Sequence, residues 1–333
     1  MALNELLASK GDAPLIFREL NVWTQFKAII RGRRNASVKK FVKNMFFLLL
    51  LPFLPKTKIV LGVAPFNKWL PLLMILMKKH SVYYHTSYSC WDGSRMAHCT
   101  TDSSLISKWR MFLSEYVVHI FAVSEKTKNE LVKNRFASPE RISVVNHSYP
   151  QEIQIEWKKN KENTFIQVSN LSPKKGVAQL LEYFASHPEL ELMLVGRGEL
   201  QHLVEDYSSR YHNIVYAGFI SDFSRLERLY KDNCFLLLNS QRTLEWEELF
   251  GMVLVEGMAC GCVPIATDHP GPQEIITNGM NGMLCAEHDI FKGIECAVQM
   301  SSDDYSLMRK NSILRGQSFY CGRVACKWNW ILQ

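Results

Sequence analysis

Two carboxylates, Glu248 and Glu256, stand in the stretch EELFGMVLVEGMACGCVPIATDHPG (247–271), with seven residues between them. We predict a helix over 252–259, so that Glu248 lies just before it and Glu256 lies two turns along it. Gly251 lets a ligand approach the backbone, and the free N–H groups of a helix start suit a diphosphate or a sugar hydroxyl. Acidic side chains at such a place suit a ligand that also has hydroxyl groups, as a sugar nucleotide does. The alternative is a surface helix with ordinary solvated acids.

Two further loops follow predicted strands and precede predicted helices. VSNLSPKKG (168–176) places Lys174 and Lys175 at a helix start, where a phosphate is favoured by backbone N–H groups and the helix dipole. Two solvated lysines are the alternative. LVGRGEL (194–200) contains a Gly-x-Gly turn, which is typical of nucleotide-binding sheets but is explained equally well by tight packing of helix on strand.

Five apolar segments in the second half of the chain predict the strands that position these loops. They are TFIQVS (164–169), LELMLVG (190–196), NIVYAG (213–218), CFLLLNS (234–240) and VPIAT (263–267), and they alternate with helical segments. Continuous apolar strands between amphipathic helices indicate a parallel sheet covered on both faces. Such doubly wound α/β domains bind ligands at the carboxyl ends of their strands.

The first half of the chain has a less regular pattern. Its predicted elements are a strand over 56–63, a largely buried helix over 67–80, a strand over 81–88, a strand and helix over 119–134 with Ser124 as the helix cap, and a strand over 141–150. The charged, proline-led stretch 150–163 is the predicted linker. We therefore expect an N-terminal domain over 1–152 and a C-terminal domain over 153–315.

The amino-acid composition indicates the general class of protein. A chain of 333 residues with 47% hydrophobic and 21% charged residues fits two ordinary globular domains. The nine cysteines have neither zinc spacing nor a disulfide pattern, so we expect no metal and a cytoplasmic location. The start of the chain does not have the apolar region of a signal peptide, and the apolar run 45–54 is too short to span a bilayer.

The net charge of +7 is concentrated in FKAIIRGRRNASVKKFVK (26–43), which contains seven basic and no acidic residues. From Val38 onward apolar residues recur at helical spacing with Lys39, Lys40 and Lys43 between them. A basic amphipathic helix of this kind can bind an anionic membrane surface, and we expect that surface to lie within residues 26–50. The alternative is a helix that packs on the core and exposes its lysines. No recognition motif accompanies the charge, so we expect no binding of nucleic acid.

These motifs together resemble a known family. ELFGMVLVEGMACGCVPIAT is similar to the paired-glutamate signature of retaining GT-B glycosyltransferases of family four, the glycosyl transferases group 1 of bacterial surface-polysaccharide type. SNLSPKKG resembles the phosphate loop of that family, and LMLVGRGEL, YAGFIS and DHPGPQEII follow in the family's order, with Pro270 where a glycine is usual. The resemblance covers about residues 140–300.

The resemblance implies a GT-B fold, with two Rossmann-like doubly wound domains facing a cleft and a shortened or altered N-terminal domain. It further implies that residues 316–333 form a helix crossing back to the N-terminal, acceptor-side domain. The donor would be a nucleoside diphosphate sugar of UDP or GDP type, with no other cofactor and no metal. The resemblance also implies roles for single residues. Glu256 would bind the ribose, Glu248 would bind the donor sugar, and Lys175 would bind the diphosphate with Lys174 beside it. The backbone of Leu249, Phe250 and Gly251 would bind the phosphates or the sugar.

The function implied is transfer of a sugar, with retained configuration, to a glycan or lipid-linked saccharide in surface polysaccharide synthesis, at the inner face of the plasma membrane. His85 in VYYHTSY would be the family's cleft histidine, or else a hydrogen-bonded core residue. Asn170 stands where the family has its phosphate-binding arginine, so Lys174 or another cation must compensate. If none does, the chain is a degenerate GT-B protein that binds a nucleotide sugar or glycan as an assembly partner.

Overall fold

The computed structural model describes residues 2–12, 15–18, 30, 34–94, 100–155 and 162–333, without the side chains of 34–37. The chain forms two compact units. The N-terminal unit contains Leu3–Val145 and Ala325–Gln333, and the C-terminal unit contains Asn146–Val324 with Ala2. Part of the basic segment, Arg95, and residues 156–161 of the predicted linker lie outside the described residues.

The N-terminal unit is built on a four-stranded parallel sheet in the order β1-β2-β3-β4. Its strands are β1 (Lys58–Leu61), β2 (Ser81–Thr86), β3 (Val117–Ala122) and β4 (Ile142–Val144). Its helices are α1 (Ala2–Ser9), α2 (Arg34–Leu50), α3 (Leu70–Met77), α4 (Ser103–Met111) and α5 (Glu125–Lys133), with a π turn at Phe112–Tyr116 and 3-10 turns at Leu51–Phe53, Pro139–Arg141 and Ala325–Leu332.

Local signals in the sequence account for these elements. Ser124 caps α5 as predicted, because its hydroxyl accepts a hydrogen bond from the N–H of Thr127 at 3.1 Å. Asp102 caps α4 in the same way. The core beside the sheet is rich in large aromatic residues, and Trp91 and Trp109 are fully buried in it.

Helices α2 and α3 differ from the sequence expectations in which faces they bury. We predicted α3 as largely buried, but Ile75 is 70% exposed and Leu72 is 46% exposed. Apolar residues of α2 are also exposed, including Val42, Phe46 and Leu49. Phe47 of the same helix packs against the core of the N-terminal unit, so α2 both contacts the core and exposes apolar side chains. Within the described residues, no helix is both long and apolar enough to cross a membrane.

The C-terminal unit contains a six-stranded parallel sheet in the order β10-β9-β8-β5-β6-β7. Its strands are β5 (Thr164–Asn170), β6 (Glu191–Arg197), β7 (Ile214–Tyr216), β8 (Phe235–Leu238), β9 (Val263–Thr267) and β10 (Met283–Cys285). Its helices are α6 (Val177–Ala185), α7 (Gln201–Arg210), α8 (Phe223–Lys231), α9 (Met252–Cys260), α10 (Pro270–Ile275), α11 (Ile290–Val298), α12 (Ser302–Gln317) and α13 (Cys321–Val324), with 3-10 turns at Pro173–Lys175 and Glu287–Asp289.

This strand order is that of a doubly wound Rossmann sheet. All five strands predicted between residues 164 and 267 are present, and the predicted helix over 252–259 is α9. Strands β8 and β9 contain only buried residues, and the first four residues of β5 are buried, as expected for a parallel sheet covered on both faces. The loops that carry the predicted site residues follow the carboxyl ends of these strands.

Candidate active site

The centre of the C-terminal sheet is a topological switch point. Strands β5 and β8 are neighbours, but the chain continues from β5 toward β6 and β7, and from β8 toward β9 and β10. The loops after β5 and β8 therefore diverge, and in open α/β sheets ligands bind in the resulting crevice. The loop after β5 contains Lys174 and Lys175, and the loop after β8 contains Glu248.

Lys175 and Glu248 meet at this point. The Lys175 ammonium donates a hydrogen bond to Oε2 of Glu248, and Ser240 Oγ donates to the same oxygen at 3.1 Å. The two charged side chains are 15% and 14% exposed, so the ion pair is largely withdrawn from water. The ammonium also lies 4.6 Å from the centre of the Trp246 ring. The structure thus joins two of the predicted catalytic residues in one charge-assisted cluster.

Backbone geometry fixes the position of Lys175. The carbonyl of Lys175 accepts a hydrogen bond from the Gln167 side chain of β5 at 2.8 Å. The next residue, Gly176, has φ of +59° and caps α6. A Cβ at Gly176 would collide with Asn239, which is buried at the end of β8. Only glycine is compatible with both this backbone conformation and the close approach of Asn239.

Glu248 is positioned by His269, which the sequence analysis did not identify as a site residue. The Glu248 N–H donates to Nδ1 of His269 at 3.1 Å. The proton of the neutral ring is therefore on Nε2, which lies 3.0 Å from the Ser240 carbonyl and 3.1 Å from Oε1 of Glu287. Burial, and secondarily the nearby Arg242, lowers the pKa of His269 and favours this neutral form. A histidine two residues after a buried strand and directly before a proline was the signal available in the sequence.

Leu249, Phe250 and Gly251 form the start of α9. Gly251 caps the helix with φ of +89°. Phe250 is 4% exposed, and its ring lies edge-on to the ring of His147, so its role is in packing. Gly271 packs directly against the backbone of Phe250 and donates its N–H to the Glu248 carbonyl at 3.0 Å. Any ligand contact from this segment must therefore come from the side of the backbone that Gly271 does not cover.

Glu256 lies four residues after Met252, the first residue of α9, and is not part of the Lys175–Glu248 cluster. Its Oε2 accepts a hydrogen bond from the buried Tyr230 hydroxyl at 3.5 Å. Burial raises the pKa of Glu256 to about 7, and the hydrogen bond from Tyr230 opposes this shift only in part. The carboxyl group therefore changes its charge near neutral pH.

Asn170 and Lys174 flank the Lys175 turn. Asn170 is the last residue of β5, is exposed, and pairs in register with Arg197 at the end of β6. The Lys174 ammonium lies 5.0 Å from the centre of the Trp246 ring. The carbonyl of Lys174 accepts a hydrogen bond from the N–H of Gln241 at 2.8 Å, which ties the β5 loop to the β8 loop.

His85 belongs to the N-terminal unit. It lies on β2, pairs in register with Phe121 of β3, and is half-buried. Its ring centre is 5.4 Å from that of Trp328 in the C-terminal 3-10 turn. Trp91, which follows β2, is a core residue.

Part of the chain is similar to known proteins. Residues 149–311 match the family described as "Glycosyl transferases group 1". The chain is similar to an uncharacterized glycosyltransferase of Methanocaldococcus jannaschii, with 28% identity over 172 residues, which are 51% of this chain and 46% of that protein. It is also similar to the N-acetyl-alpha-D-glucosaminyl L-malate synthase of Bacillus anthracis, with 29% identity over 43% of this chain and 37% of the synthase. The chain therefore spans less than half the length of these two relatives.

The fold is shared with solved glycosyltransferase structures. The crystal structure of Anabaena Alr3699/HepE in complex with UDP matches 90% of this chain and 83% of its own, with a TM-score of 0.62 and 16% identity. At this identity the likeness concerns the fold alone. It confirms the predicted α/β class with two Rossmann-like units of GT-B type, and the family match supports glycosyl transferases group 1 for the C-terminal unit.

Proposed function

We propose that this chain is a retaining glycosyltransferase of family four that transfers a hexose from a UDP or GDP sugar to a glycan or lipid-linked saccharide. The observation that carries the proposal is the Lys175–Glu248–Ser240 cluster at the switch point of a Rossmann sheet, inside the segment that matches the family. The fold relative Alr3699/HepE, which was solved in complex with UDP, adds support for a nucleotide donor.

In this proposal, different residues bind different parts of the donor. Lys175 and Lys174 bind the diphosphate, and the first N–H groups of α9, near Leu249, Phe250 and Gly251, lie where an anion is favoured. Glu248 accepts hydrogen bonds from the donor sugar, and Glu256 from the ribose. During transfer, the bond between C1 of the sugar and a diphosphate oxygen breaks, and C1 forms a bond to an acceptor hydroxyl oxygen. The acceptor's proton leaves with the nucleoside diphosphate, whose developing charge the lysines stabilise.

Thermal unfolding with UDP, GDP and ADP tests the proposal. A nucleotide at 100 times its dissociation constant stabilises the folded protein by about 2.7 kcal/mol. We expect one nucleotide to stabilise the wild type and Glu256→Ala to lose most of this effect. Glu205→Ala is the matched control, since Glu205 is a glutamate of α7 on the same unit. Absence of stabilisation by all three nucleotides would contradict the proposal.

Turnover separates the enzyme from the second candidate, a degenerate protein that binds a nucleotide sugar without transferring it. Asn170, in place of the family's arginine, is the observation that favours this candidate. Release of UDP or GDP from the bound nucleotide sugar, stimulated by an acceptor, identifies the enzyme. The same assay with a metal chelator tests metal independence, and NMR of the product's anomeric proton tests retention. Binding with no turnover in the presence of glycan and lipid-linked acceptors supports the second candidate.

We propose further that the N-terminal unit binds an anionic membrane from the cytoplasmic side, which would bring a lipid-linked acceptor near the enzyme. Residues 21–91 contain no Asp or Glu. Their basic residues are Lys27, Arg31, Arg33, Arg34, Lys39, Lys40, Lys43, Lys56, Lys58, Lys68, Lys78 and Lys79. Within this segment α2 and the turn after it expose a helical row of apolar side chains, namely Val38, Val42, Phe46, Leu49 and Phe53. Apolar side chains flanked by lysines fit an anionic lipid surface.

Sedimentation with vesicles tests this surface. Binding to vesicles that contain anionic lipid is expected, with little binding to zwitterionic vesicles. Phe46→Ser with Phe53→Ser should weaken it, as should neutralisation of Lys39, Lys40 and Lys43 by glutamine. Leu307→Ser, at an exposed leucine of α12, is the control. Equal sedimentation of wild type and both sets of variants would contradict the assignment.

A further inference from the structure

The cations at the carboxyl edge of the C-terminal sheet are of two kinds. Lys175 is paired with Glu248, and Arg242 lies 3.4 Å from Glu247 and 3.5 Å from Glu287. Lys174 and Arg197, by contrast, have no carboxylate within ion-pair distance among the residues that the structure describes. They are the cations of this edge whose charge is not already matched by an acid.

Arg197 occupies a fixed place beside the end of β5. It pairs in register with Asn170, and its carbonyl accepts the N–H of Leu171 at 3.0 Å. The glycines on either side of it permit this arrangement, because a Cβ at Gly196 would collide with the carbonyl of Ser169 and one at Gly198 with that of Leu171. The Gly-x-Gly turn therefore serves close packing of two strand ends and holds Arg197 between them.

The guanidinium of Arg197 is presented at the surface. The residue is exposed, and its guanidinium carbon lies 4.2 Å from the centre of the Phe219 ring. Stacking on an aromatic face restrains the planar group while leaving its N–H donors free to bind an anion.

A second observation concerns a hydroxyl group in the same part of the sheet. The Ser169 hydroxyl, one residue before Asn170, is buried and has no hydrogen-bond partner within the described part of the chain. Ser169 pairs in register with Gly196, directly before Arg197. Buried hydroxyls in native proteins nearly always have a partner, and a bound ligand is one way to supply it.

We infer that Arg197 binds the diphosphate of the nucleotide donor, in place of a cation at position 170. This inference rests on the proposed function, since it assigns a residue to the same donor site. Asn170 has no charge, but the neighbouring strand brings a guanidinium to the same edge one position across the sheet. A guanidinium binds phosphate oxygens in a bidentate way, which neither Asn170 nor Lys174 can do.

The test compares a nucleoside diphosphate with its nucleoside, by calorimetric titration of UDP and uridine, or GDP and guanosine, whichever pair binds the wild type. Arg197→Ala should weaken binding of the diphosphate about ten- to a hundred-fold and leave binding of the nucleoside unchanged. Arg197→Lys should recover only part of the loss. Adding Asn170→Arg to Arg197→Ala should restore binding, because it returns a guanidinium to the adjacent strand end.

Two controls complete the design. Arg210→Ala removes another exposed arginine, which stacks on the ring of Tyr207 as Arg197 stacks on Phe219. Arg210 lies at the end of α7, before β7 and at the opposite edge of the sheet. Diphosphate binding should therefore not change in this variant. Lys174→Ala tests the competing cation. If Arg197→Ala binds the diphosphate as the wild type does, or if only Lys174→Ala loses it, the inference is overturned while the proposed function stands. If the wild type binds neither ligand, the proposed function itself fails.

Discussion

The backbone N–H of Glu248 donates its hydrogen bond to Nδ1 of a fully buried histidine, His269, at 3.1 Å. The imidazole thereby links three chain segments, because its other nitrogen faces the Ser240 carbonyl and the Glu287 carboxylate. Ser240 in turn donates its hydroxyl to the Glu248 carboxylate. Protonation of Nδ1 would replace the hydrogen bond to Glu248 by a repulsion between two N–H groups. The geometry of Glu248 thus depends on a neutral His269.

The first prediction concerns pH and His269. The pKa of its imidazole is lowered in the folded protein from the ordinary value of 6.5, so the unfolded chain binds more protons below that pH. The free energy of unfolding should therefore be fully retained above about pH 6.5 and should decrease as the pH falls below it. Arg242 strengthens this effect, whereas the carboxylates of Glu287 and Glu248 oppose it. Urea denaturation across this range measures the dependence.

His269→Asn separates this histidine from the other titrating groups. Asparagine retains an acceptor near the position of Nδ1 but does not titrate, so the variant should lose part of the decrease in stability at low pH. His202→Asn is the control, since the side chain of His202 is 97% exposed on α7. A wild type and a His269→Asn variant with parallel pH profiles would show that His269 does not titrate in this way.

The second prediction concerns the coupling of Lys175 and Glu248. Because both side chains are largely withdrawn from water, their interaction should exceed the roughly 0.2–1 kcal/mol of an exposed pair. A double-mutant cycle with Lys175→Met and Glu248→Gln should give a coupling energy of about 1–2 kcal/mol. The glutamine still accepts the Ser240 hydrogen bond, so the cycle isolates the charge term. A coupling energy within error of zero would mean that water screens the pair fully.

Much of the C-terminal unit could be predicted from the sequence, because local pattern determines it. Buried parallel strands are continuous apolar runs, and β9 begins and ends at the predicted residues 263 and 267. The helix predicted over 252–259 is also present, and α9 begins at the predicted residue Met252.

The features that were missed depend on contacts between distant segments. His269 contacts Glu248 and Ser240 only because three strand ends converge, and Arg197 is significant only through its register with Asn170. A sequence gives neither the register nor the convergence of loops. For the same reason, periodicity showed that α2 is amphipathic but not that Val42, Phe46 and Leu49 are exposed.

The third prediction concerns Gly176. Gly176→Ala should destabilise the protein by about 2–4 kcal/mol, because alanine is strained at positive φ and its Cβ collides with Asn239. Gly218→Ala is matched to it: φ is +74° there, but the space around a Cβ is open, so only the backbone term of about 1–2 kcal/mol applies. Thermal unfolding of both variants measures the difference. Equal losses of stability would show that Asn239 moves aside without cost.

The fourth prediction concerns Glu256, whose pKa is raised by burial from 4.5 to about 7. The folded protein then holds a proton that the unfolded chain has lost, so this carboxyl group contributes stability below about pH 4.5 that disappears as the pH rises through about 7. Glu256→Gln cannot ionise, and relative to the wild type it should gain about 1–3 kcal/mol of stability between about pH 5 and about pH 8. Glu205→Gln, on α7, is the control for removal of one acid from this unit.

Ligand binding should show the opposite trend with pH. If Glu256 accepts hydrogen bonds from ribose hydroxyls, the ionised form binds them best, so affinity should increase as the pH rises from about 6 to about 8. Uridine or guanosine is the proper probe, because a phosphate group has its own pKa near 6 and would confuse the titration. Glu256→Gln should bind the nucleoside weakly and without pH dependence across this range. The contrary outcome is a wild-type affinity for the nucleoside that does not change with pH, while the stability difference between wild type and Glu256→Gln follows the expected profile. Glu256 would then be a buried carboxyl group that is hydrogen-bonded to Tyr230, and another residue would bind the ribose.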